Sequence, residues 1–105
     1  MAQFDVYANP DPNTNKSYPY FVDLQAEIIA DLSTRVVAPL VARDELHHAP
    51  LQVLCPEVDV NGERYVLMTH QLASIPMQTN LSSIASLQEQ RYELLNALDF
   101  LITGC

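Results

Sequence analysis

Apolar and polar side chains alternate in short runs along most of the chain, a pattern typical of half-buried β-strands. Successive side chains of a strand point to opposite faces of a sheet, so one face of each run can pack on a core while the other meets water. An Asn-, Pro- and Asp-rich segment at 9–17 predicts a long loop between the first two strands. The predicted strands span residues 3–7, 18–25, 35–40, 57–60, 63–68 and 73–78.

Two prolines refine the predicted sheet. Pro39 lies within the third of these runs and Pro76 within the last. Because proline has no amide N–H to donate to a neighbouring strand, we expect each of them at a sheet edge or at a strand end.

Asn61-Gly62 is the clearest local signal in the sequence. Both residue types accept a positive φ, and a type I′ turn needs two of these in succession. The twist of that turn matches the twist of two antiparallel strands, so the pair predicts a tight hairpin. Its register sets two cross-strand pairs opposite each other: Asp59 with Arg64, and Val58 with Tyr65.

The hydrophobic period changes near the C-terminus, where apolar residues recur at the three- and four-residue spacing of an amphipathic helix. Ser86 and Glu89 form a capping-box pattern, so we expect the helix to begin near Ser86, and Gly104 is placed to end it. The apolar stripe consists of Leu87, Leu94, Leu95, Leu98, Leu101 and Ile102. The chain is therefore predicted to be mainly β, a small antiparallel barrel with one C-terminal helix, in a single domain over residues 1–105.

Charge narrows the class of partner. Acidic residues number 13 against five Lys and Arg, which gives a net charge of −8. Nucleic-acid binding depends on a line of cations that neutralises phosphates, so this balance argues against direct contact with DNA or RNA and favours basic protein partners. No apolar run approaches the ~20 residues that span a bilayer, and no signal-peptide pattern is present, so we expect a cytoplasmic protein.

The histidines and cysteines give weak support for a metal centre. No common zinc signature matches the spacing of His47, His48, Cys55 and His70. We expect Cys55, which precedes a proline at the entry to a strand, to be a small buried residue with an unreactive thiol.

Catalysis is equally weakly supported. Asp23 and Glu27 are close in sequence, but two carboxylates on a strand and the loop after it are expected to be exposed and solvated. The chain has only two glycines, so it cannot form the glycine-rich phosphate loops of nucleotide-binding folds. The chain is therefore predicted to be a binding module without catalytic residues, cofactor or metal.

Four motifs, in the same order and over nearly the whole chain, resemble the CcdB family of plasmid-addiction toxins. They are QFDVY at 3–7, FVDLQAEII at 21–29, RVVAPL at 35–40 and MTHQLASIP at 68–76. The resemblance implies an SH3-like barrel that forms a homodimer, binds the A subunit of DNA gyrase and traps the complex with cleaved DNA. It also implies a CcdA-type antitoxin whose disordered tail folds as it binds the toxin. The family's gyrase-binding positions fall here on Gln3, Phe4, Tyr7, Ala26, Ile28, Ile29, Asp99, Thr103, Gly104 and Cys105.

The helix end itself indicates an interface. Residues 100–105 (FLITGC) are apolar for the end of a helix, and such a surface is usually covered by the protein or by a partner. We expect a two-fold dimer that brings both helix ends together into one docking surface, since closed dimers are the commonest assembly.

The last residues depart from the family. Its best-known member ends with Trp-Gly-Ile, and that Trp stacks on a gyrase arginine, whereas this chain has no Trp and ends with Thr-Gly-Cys. Two alternatives therefore stay open: a retargeted or inactive CcdB-like protein that binds only its antitoxin, and a ribonuclease of the MazF/Kid type, which shares the barrel. RNA cleavage needs cations beside the phosphate, and the body of the chain supplies only Arg35, Arg43 and Arg64.

Overall fold

Seven antiparallel strands and one C-terminal helix make up most of the regular structure in the computed structural model, which describes residues 1–29, 32–48, 51–77 and 80–104. The strands are β1 (Asp5–Ala8), β2 (Tyr20–Asp23), β3 (Thr34–Ala42), β4 (Glu57–Val60), β5 (Glu63–Leu67), β6 (Ala73–Pro76) and β7 (Ala85–Ser86). Helix α1 spans Arg91–Thr103, and 3-10 turns lie at Glu27–Ile29, Arg43–Glu45, Thr69–Gln71 and Gln88–Gln90. The sheet runs in the order β4-β5-β3-β2-β1-β7, with β6 on β3, and curls into a nearly closed barrel. The predicted mainly β barrel with a C-terminal helix is confirmed.

Strand β3 is the centre of the sheet, because it pairs along one edge with β2 and along the other with β6 and then β5. The partner changes between Val37, which pairs with β6, and Leu40, which pairs with β5. Pro39 lies in that interval, and its carbonyl accepts the Met68 N–H at 2.9 Å. The nitrogen and the carbonyl of one strand residue face the same edge, so the Pro39 nitrogen faces the edge where β3 changes partner. No ladder hydrogen bond is lost there. The prediction that Pro39 marks an edge or a strand end is wrong for this reason. Pro76 fits its prediction, because it ends β6, which pairs only with β3 among the described strands.

The β4–β5 hairpin forms as predicted. Asn61 has a φ of 53° and Gly62 a φ of 90°, and the Asp59 carboxylate accepts the Gly62 N–H at 2.8 Å. The observed register pairs Asp59 with Arg64 and Val58 with Tyr65. The backbone preferences of two turn residues are therefore enough to set this register.

The strands carry one apolar cluster on each face of the sheet. The inner cluster fills the barrel and receives α1 through Leu94, which is fully buried, as is Ala97. The outer cluster consists of Tyr7, Phe21 and Val37, whose positions alternate with those of inner residues along the same strands. The inner cluster comprises Phe4, Val6, Val22, Leu24, Ala38, Leu40, Val58, Val60, Tyr65, Leu67, Leu87 and Leu94.

The C-terminal helix begins later than its capping box predicts. Ser86 pairs with Asp5 in the strand pair β1–β7, and the Leu87 N–H donates to the Phe4 carbonyl at 2.8 Å. These long-range bonds keep the chain extended at Ser86 and bury Leu87, so α1 starts only at Arg91, after a 3-10 turn. The predicted start near Ser86 is therefore five residues early for α1, because sheet pairing holds the Ser86 backbone; its Oγ accepts the Gln88 N–H at 3.3 Å at the start of the 3-10 turn instead.

Gly104 ends the helix, as predicted. Its φ is 76°, and its N–H donates to the Phe100 carbonyl at 2.9 Å. Glycine adopts this left-handed conformation without a steric penalty, which explains its position at the helix end. No helix in the described ranges is both long enough and apolar enough to cross a bilayer.

Tyr65 makes the stability of the barrel depend on pH. Its buried ring packs edge-on against Tyr20 with ring centroids 5.3 Å apart, and its hydroxyl donates to Glu63 at 3.1 Å. Burial, together with that hydrogen bond, raises the pKa of Tyr65 from 10.0 to about 12. As the pH rises, Tyr65 therefore ionises first in the unfolded state. We expect this residue alone to lower the free energy of unfolding by about 1 kcal/mol between about pH 9 and pH 11.

Urea unfolding of the wild type and of Tyr65→Phe at these two pH values measures this contribution. The variant should lose less stability over the interval, by about the same 1 kcal/mol. Tyr92→Phe is the matched control, because Tyr92 is 76 % exposed. An equal loss in the wild type and Tyr65→Phe would contradict the prediction.

Candidate functional site

The segment after β2 carries the most exposed of the large apolar side chains that the structure describes. The chain leaves β2 at Asp23 and enters a 3-10 turn at Glu27–Ile29. The side chain of Ile28 is 93 % exposed, and Ala26 before it is half-buried. We call residues 24–28 the Ile28 turn; the side chain of Ile29 lies outside the described part of the chain. An isoleucine this exposed contributes almost nothing to the core, and so it is available to a partner.

The N-terminal segment lies against this turn. The Gln3 backbone N–H donates to the Glu27 carboxylate, and the Gln3 Nε2 donates to the Leu24 carbonyl at 3.2 Å. From the other side, the Gln88 Nε2 donates to the Gln3 carbonyl at 3.0 Å. The structure therefore brings Gln3 together with the Ile28 turn, and these bonds join the turn to the residues that lead into α1.

A buried ion pair lies beneath the turn. Asp23 and Arg35 are both fully buried, and the Asp23 Oδ2 accepts from the Arg35 Nε at 2.8 Å and from its Nη2 at 2.7 Å. The expectation that Asp23 and Glu27 are both solvated is wrong for Asp23, since Arg35 on the neighbouring strand β3 compensates its charge. It holds for Glu27, whose side chain is 56 % exposed. Arg35 is likewise not available to a phosphate, contrary to its place among the cations of the ribonuclease alternative.

Burial of this pair is energetically demanding. Desolvation raises the pKa of Asp23 above its ordinary value, although the Gln25 N–H and the Arg35 guanidinium oppose the shift. The Arg35 Nη1 is buried without a hydrogen-bond partner among the described residues. Because neither oxygen of Asp23 reaches solvent, its carboxylate cannot act on a substrate. What the pair can do is fix the backbone around it.

Phe4 and Tyr7 lie below the surface. Phe4 is fully buried in the inner cluster and has a φ of 66°, and Tyr7 is 3 % exposed in the outer cluster. The Tyr7 ring stacks on Phe21 with centroids 5.7 Å apart, and its hydroxyl accepts the Ala2 N–H at 2.9 Å. Burial raises the pKa of Tyr7. Both aromatic side chains thus support the surface from beneath.

A second group of candidate residues lies at the end of α1. The Thr103 hydroxyl donates to the Asp99 carbonyl at 2.7 Å, which closes the last turn before Gly104. Ile102 is 77 % exposed, although its spacing placed it in the apolar stripe that faces the core. This exposure agrees with the apolar helix end expected at residues 100–105, and it departs only from the apolar stripe, because periodicity gives the side of a helix but not where the core beneath it ends. Cys105 lies outside the described residues.

The whole pattern of strands, Ile28 turn and helix end can be compared with known families. The family described as CcdB protein matches residues 3–104. The chain belongs to the CcdB protein family. The matched span covers the Ile28 turn as well as α1 to its capping glycine, so the predicted resemblance is confirmed. Membership in the CcdB family supports a role as the toxin of a toxin–antitoxin system.

The cysteine that this CcdB protein buries is a structural residue. Cys55 is 2 % exposed, and burial raises the pKa of its thiol, as expected for an unreactive cysteine. Its Sγ lies 3.6 Å from the His70 Nδ1. His47 and His48 are exposed after β3, and no group of three metal-ligating side chains forms among the described residues.

Substitution of Arg35 tests how much the buried Asp23–Arg35 pair contributes to the stability of the barrel. Arg35→Met leaves the Asp23 carboxylate buried without its cation, so we expect the free energy of unfolding to fall by about 3–5 kcal/mol. Urea unfolding measures the loss. Arg43→Met is the control, because the Arg43 Nε lies 3.5 Å from Glu57 in a pair that is partly exposed, and such pairs contribute about 0–1 kcal/mol. Similar losses in both variants would show that burial of the Asp23–Arg35 pair carries no special cost.

Proposed function

We propose that the protein is the toxin of a type II toxin–antitoxin system that binds the DNA gyrase A subunit and traps the gyrase–cleaved DNA complex. The observation that carries the proposal is the 93 % exposure of Ile28 on a turn that is fixed to Gln3, within a chain of the CcdB family. Gyrase itself cuts the DNA, and the toxin only binds the cut complex. The toxin acts in the cytoplasm, and a CcdA-type antitoxin neutralises it there.

The proposed contact surface combines the Ile28 turn with the end of α1. Phe4 and Tyr7 are part of this site as supports, because their buried side chains hold β1 and the segment before it in place. The residues proposed to meet gyrase directly are Gln3, Ala26, Ile28, Ile29, Asp99, Thr103, Gly104 and Cys105, together with the exposed Ile102 at the same helix end.

Aliphatic anchors replace the family's aromatic one in this proposal. Ile28 and Ile102 are the two most exposed large apolar side chains among the described residues, at 93 % and 77 %. Burial of one such side chain at an interface gains about 1.5–3 kcal/mol, so two of them together offset the burial of one Trp and its ~0.5–2 kcal/mol contact with an arginine. Loss of the Trp therefore does not by itself remove the affinity for gyrase.

The acidic surface supports a protein target over a nucleic-acid target. The net charge is −8, and Arg35 is buried against Asp23 while Arg43 lies beside Glu57. Of the cations that the ribonuclease alternative needs, this leaves only Arg64 exposed and without an ion pair among the described residues. A partner with basic side chains fits this surface better than a phosphate backbone.

We also propose that the toxin is a homodimer whose two-fold axis brings both helix ends into one docking surface. An open groove of about 380 Å³ lies over the outer cluster, and its floor is formed by Tyr18, Phe21, Val37, Pro39 and Ile75. A second copy that covers this groove would remove apolar surface from water, which favours association.

Expression of the protein without antitoxin tests the function. We expect purified toxin to increase gyrase-dependent cleavage of supercoiled DNA while total RNA stays intact, because the proposed toxin acts only by stabilising the cut complex. Degraded RNA would instead support the ribonuclease alternative. Unchanged DNA and RNA, with antitoxin binding preserved, would support the retargeted alternative.

Ile28→Asp tests the exposed anchor. A charge at the centre of an apolar contact should weaken binding to the gyrase A subunit by at least about 10-fold, since such anchors contribute more than ~1.4 kcal/mol. The free energy of unfolding should stay within about 0.5 kcal/mol of the wild type, because the side chain lies in water. Affinity is measured by calorimetry with the purified A subunit.

Leu51→Asp is the matched control for this variant. Leu51 is 59 % exposed on the turn before β4 and has no part in the proposed surface. Its substitution should leave gyrase binding unchanged. Equal losses of affinity in both variants, or unfolding of Ile28→Asp, would contradict the assignment of Ile28 to the interface.

A further inference from the structure

Arg35 lies beneath the proposed gyrase surface. It approaches every second residue from the end of β2 into the Ile28 turn, namely residues 23, 25 and 27. The Arg35 Nη2 lies 2.7 Å from the Asp23 carboxylate, 3.3 Å from the Gln25 carbonyl and 3.9 Å from the Glu27 carboxylate. Arg35 therefore bonds the chain at Asp23 and Gln25 and attracts the Glu27 carboxylate beside them, between the end of β2 and Ile28.

The contacts pass from Arg35 to the rest of the surface. Gln25 is itself buried; its N–H donates to Asp23 at 2.9 Å, and its Oε1 accepts the Val36 N–H at 3.1 Å. The Glu27 carboxylate, near Arg35, also accepts the Gln3 N–H. One network that includes Arg35 thus joins Gln3 to the Ile28 turn, beside the core packing of Leu24.

Arginine suits this role better than lysine. Its Nε and Nη2 both bond the Asp23 Oδ2, which fixes the plane of the guanidinium and so the direction in which Nη2 meets Gln25 and Glu27. A lysine has a single ammonium on a flexible stem and cannot be fixed in this way.

Stability alone does not account for the pair. Two charges are desolvated, the Arg35 Nη1 is left without a partner among the described residues, and an apolar pair of similar volume often gives an equally stable fold. What an apolar pair would lack is the hold on the Gln25 carbonyl and the Glu27 carboxylate.

We propose that Arg35 is a positioning residue of the gyrase-binding surface, which acts through Ile28 by fixing the Ile28 turn against Gln3. This inference rests on the proposed gyrase binding. It predicts that the affinity for gyrase depends on Arg35 even where the stability of the barrel does not.

The test replaces the buried pair without leaving a lone charge. Asp23→Leu/Arg35→Met should fold with nearly the stability of the wild type and bind the gyrase A subunit about 10–100-fold more weakly in calorimetry. Arg35→Lys should bind more weakly than the wild type at similar stability. The matched control is Glu57→Leu/Arg43→Met, which removes the partly exposed ion pair and should leave the affinity unchanged. Wild-type affinity in the first double variant would overturn the inference.

A coupling measurement separates positioning from a general effect. In an Ile28→Ala background, the same double substitution should weaken binding by fewer fold than it does in the wild-type background, because the part of its effect that passes through the Ile28 side chain is already lost. If the loss of binding free energy from Ile28→Ala and the loss from the double substitution are additive, the inference is overturned.

Amide hydrogen exchange tests the same point without gyrase. Residues 24–28 should exchange faster in Asp23→Leu/Arg35→Met, while the amides of β4 and β5 keep their wild-type protection. Unchanged exchange at residues 24–28 would overturn the inference, whatever the result of the gyrase-binding measurement. If the wild type fails to bind the A subunit while the exchange result holds, only the proposed function fails.

Discussion

The Asp23–Arg35 ion pair is the constraint on which the surface of this barrel depends. Both side chains are removed from water, so each requires the other in place, and the two residues stand on the adjacent strands β2 and β3. The pair therefore fixes where β2 ends and how the chain leaves the sheet. An apolar contact at that point would tolerate sliding, whereas a bonded guanidinium does not. Together with the core packing of Leu24, this explains how the turn presents an uncovered isoleucine.

The parts of the fold that the sequence predicts well are those with local causes. The register of β4 and β5 follows from Asn61 and Gly62, because two positive φ angles admit only one kind of turn there. The end of α1 follows from Gly104 for a similar reason. Alternation along the strands likewise predicts which side chains share a face, and the two apolar clusters agree with it.

The remaining features depend on partners that are distant in sequence. Ser86 has the local pattern of a helix cap, but Asp5 pairs with it and holds it in a strand. Pro39 has the pattern of an edge, but β3 changes partner at the one position where an N–H is not needed. Asp23 was expected in water because nothing in its own segment indicates that Arg35 lies beside it. Periodicity gives the faces of each element and leaves open which elements meet.

Whether a side chain is buried or exposed determines how substitutions in the candidate site are to be interpreted. The proposed gyrase-binding site includes Phe4, Tyr7 and Ile28, but the first two are buried and only Ile28 is in water. A substitution at Phe4 or Tyr7 disturbs the packing of β1 and its approach to the Ile28 turn, so a lost activity there reports on the scaffold. A substitution at Ile28 leaves the packing intact and reports on the partner. The surface of a binding protein is thus smaller than the set of residues that its function requires, and burial determines which residues belong to each.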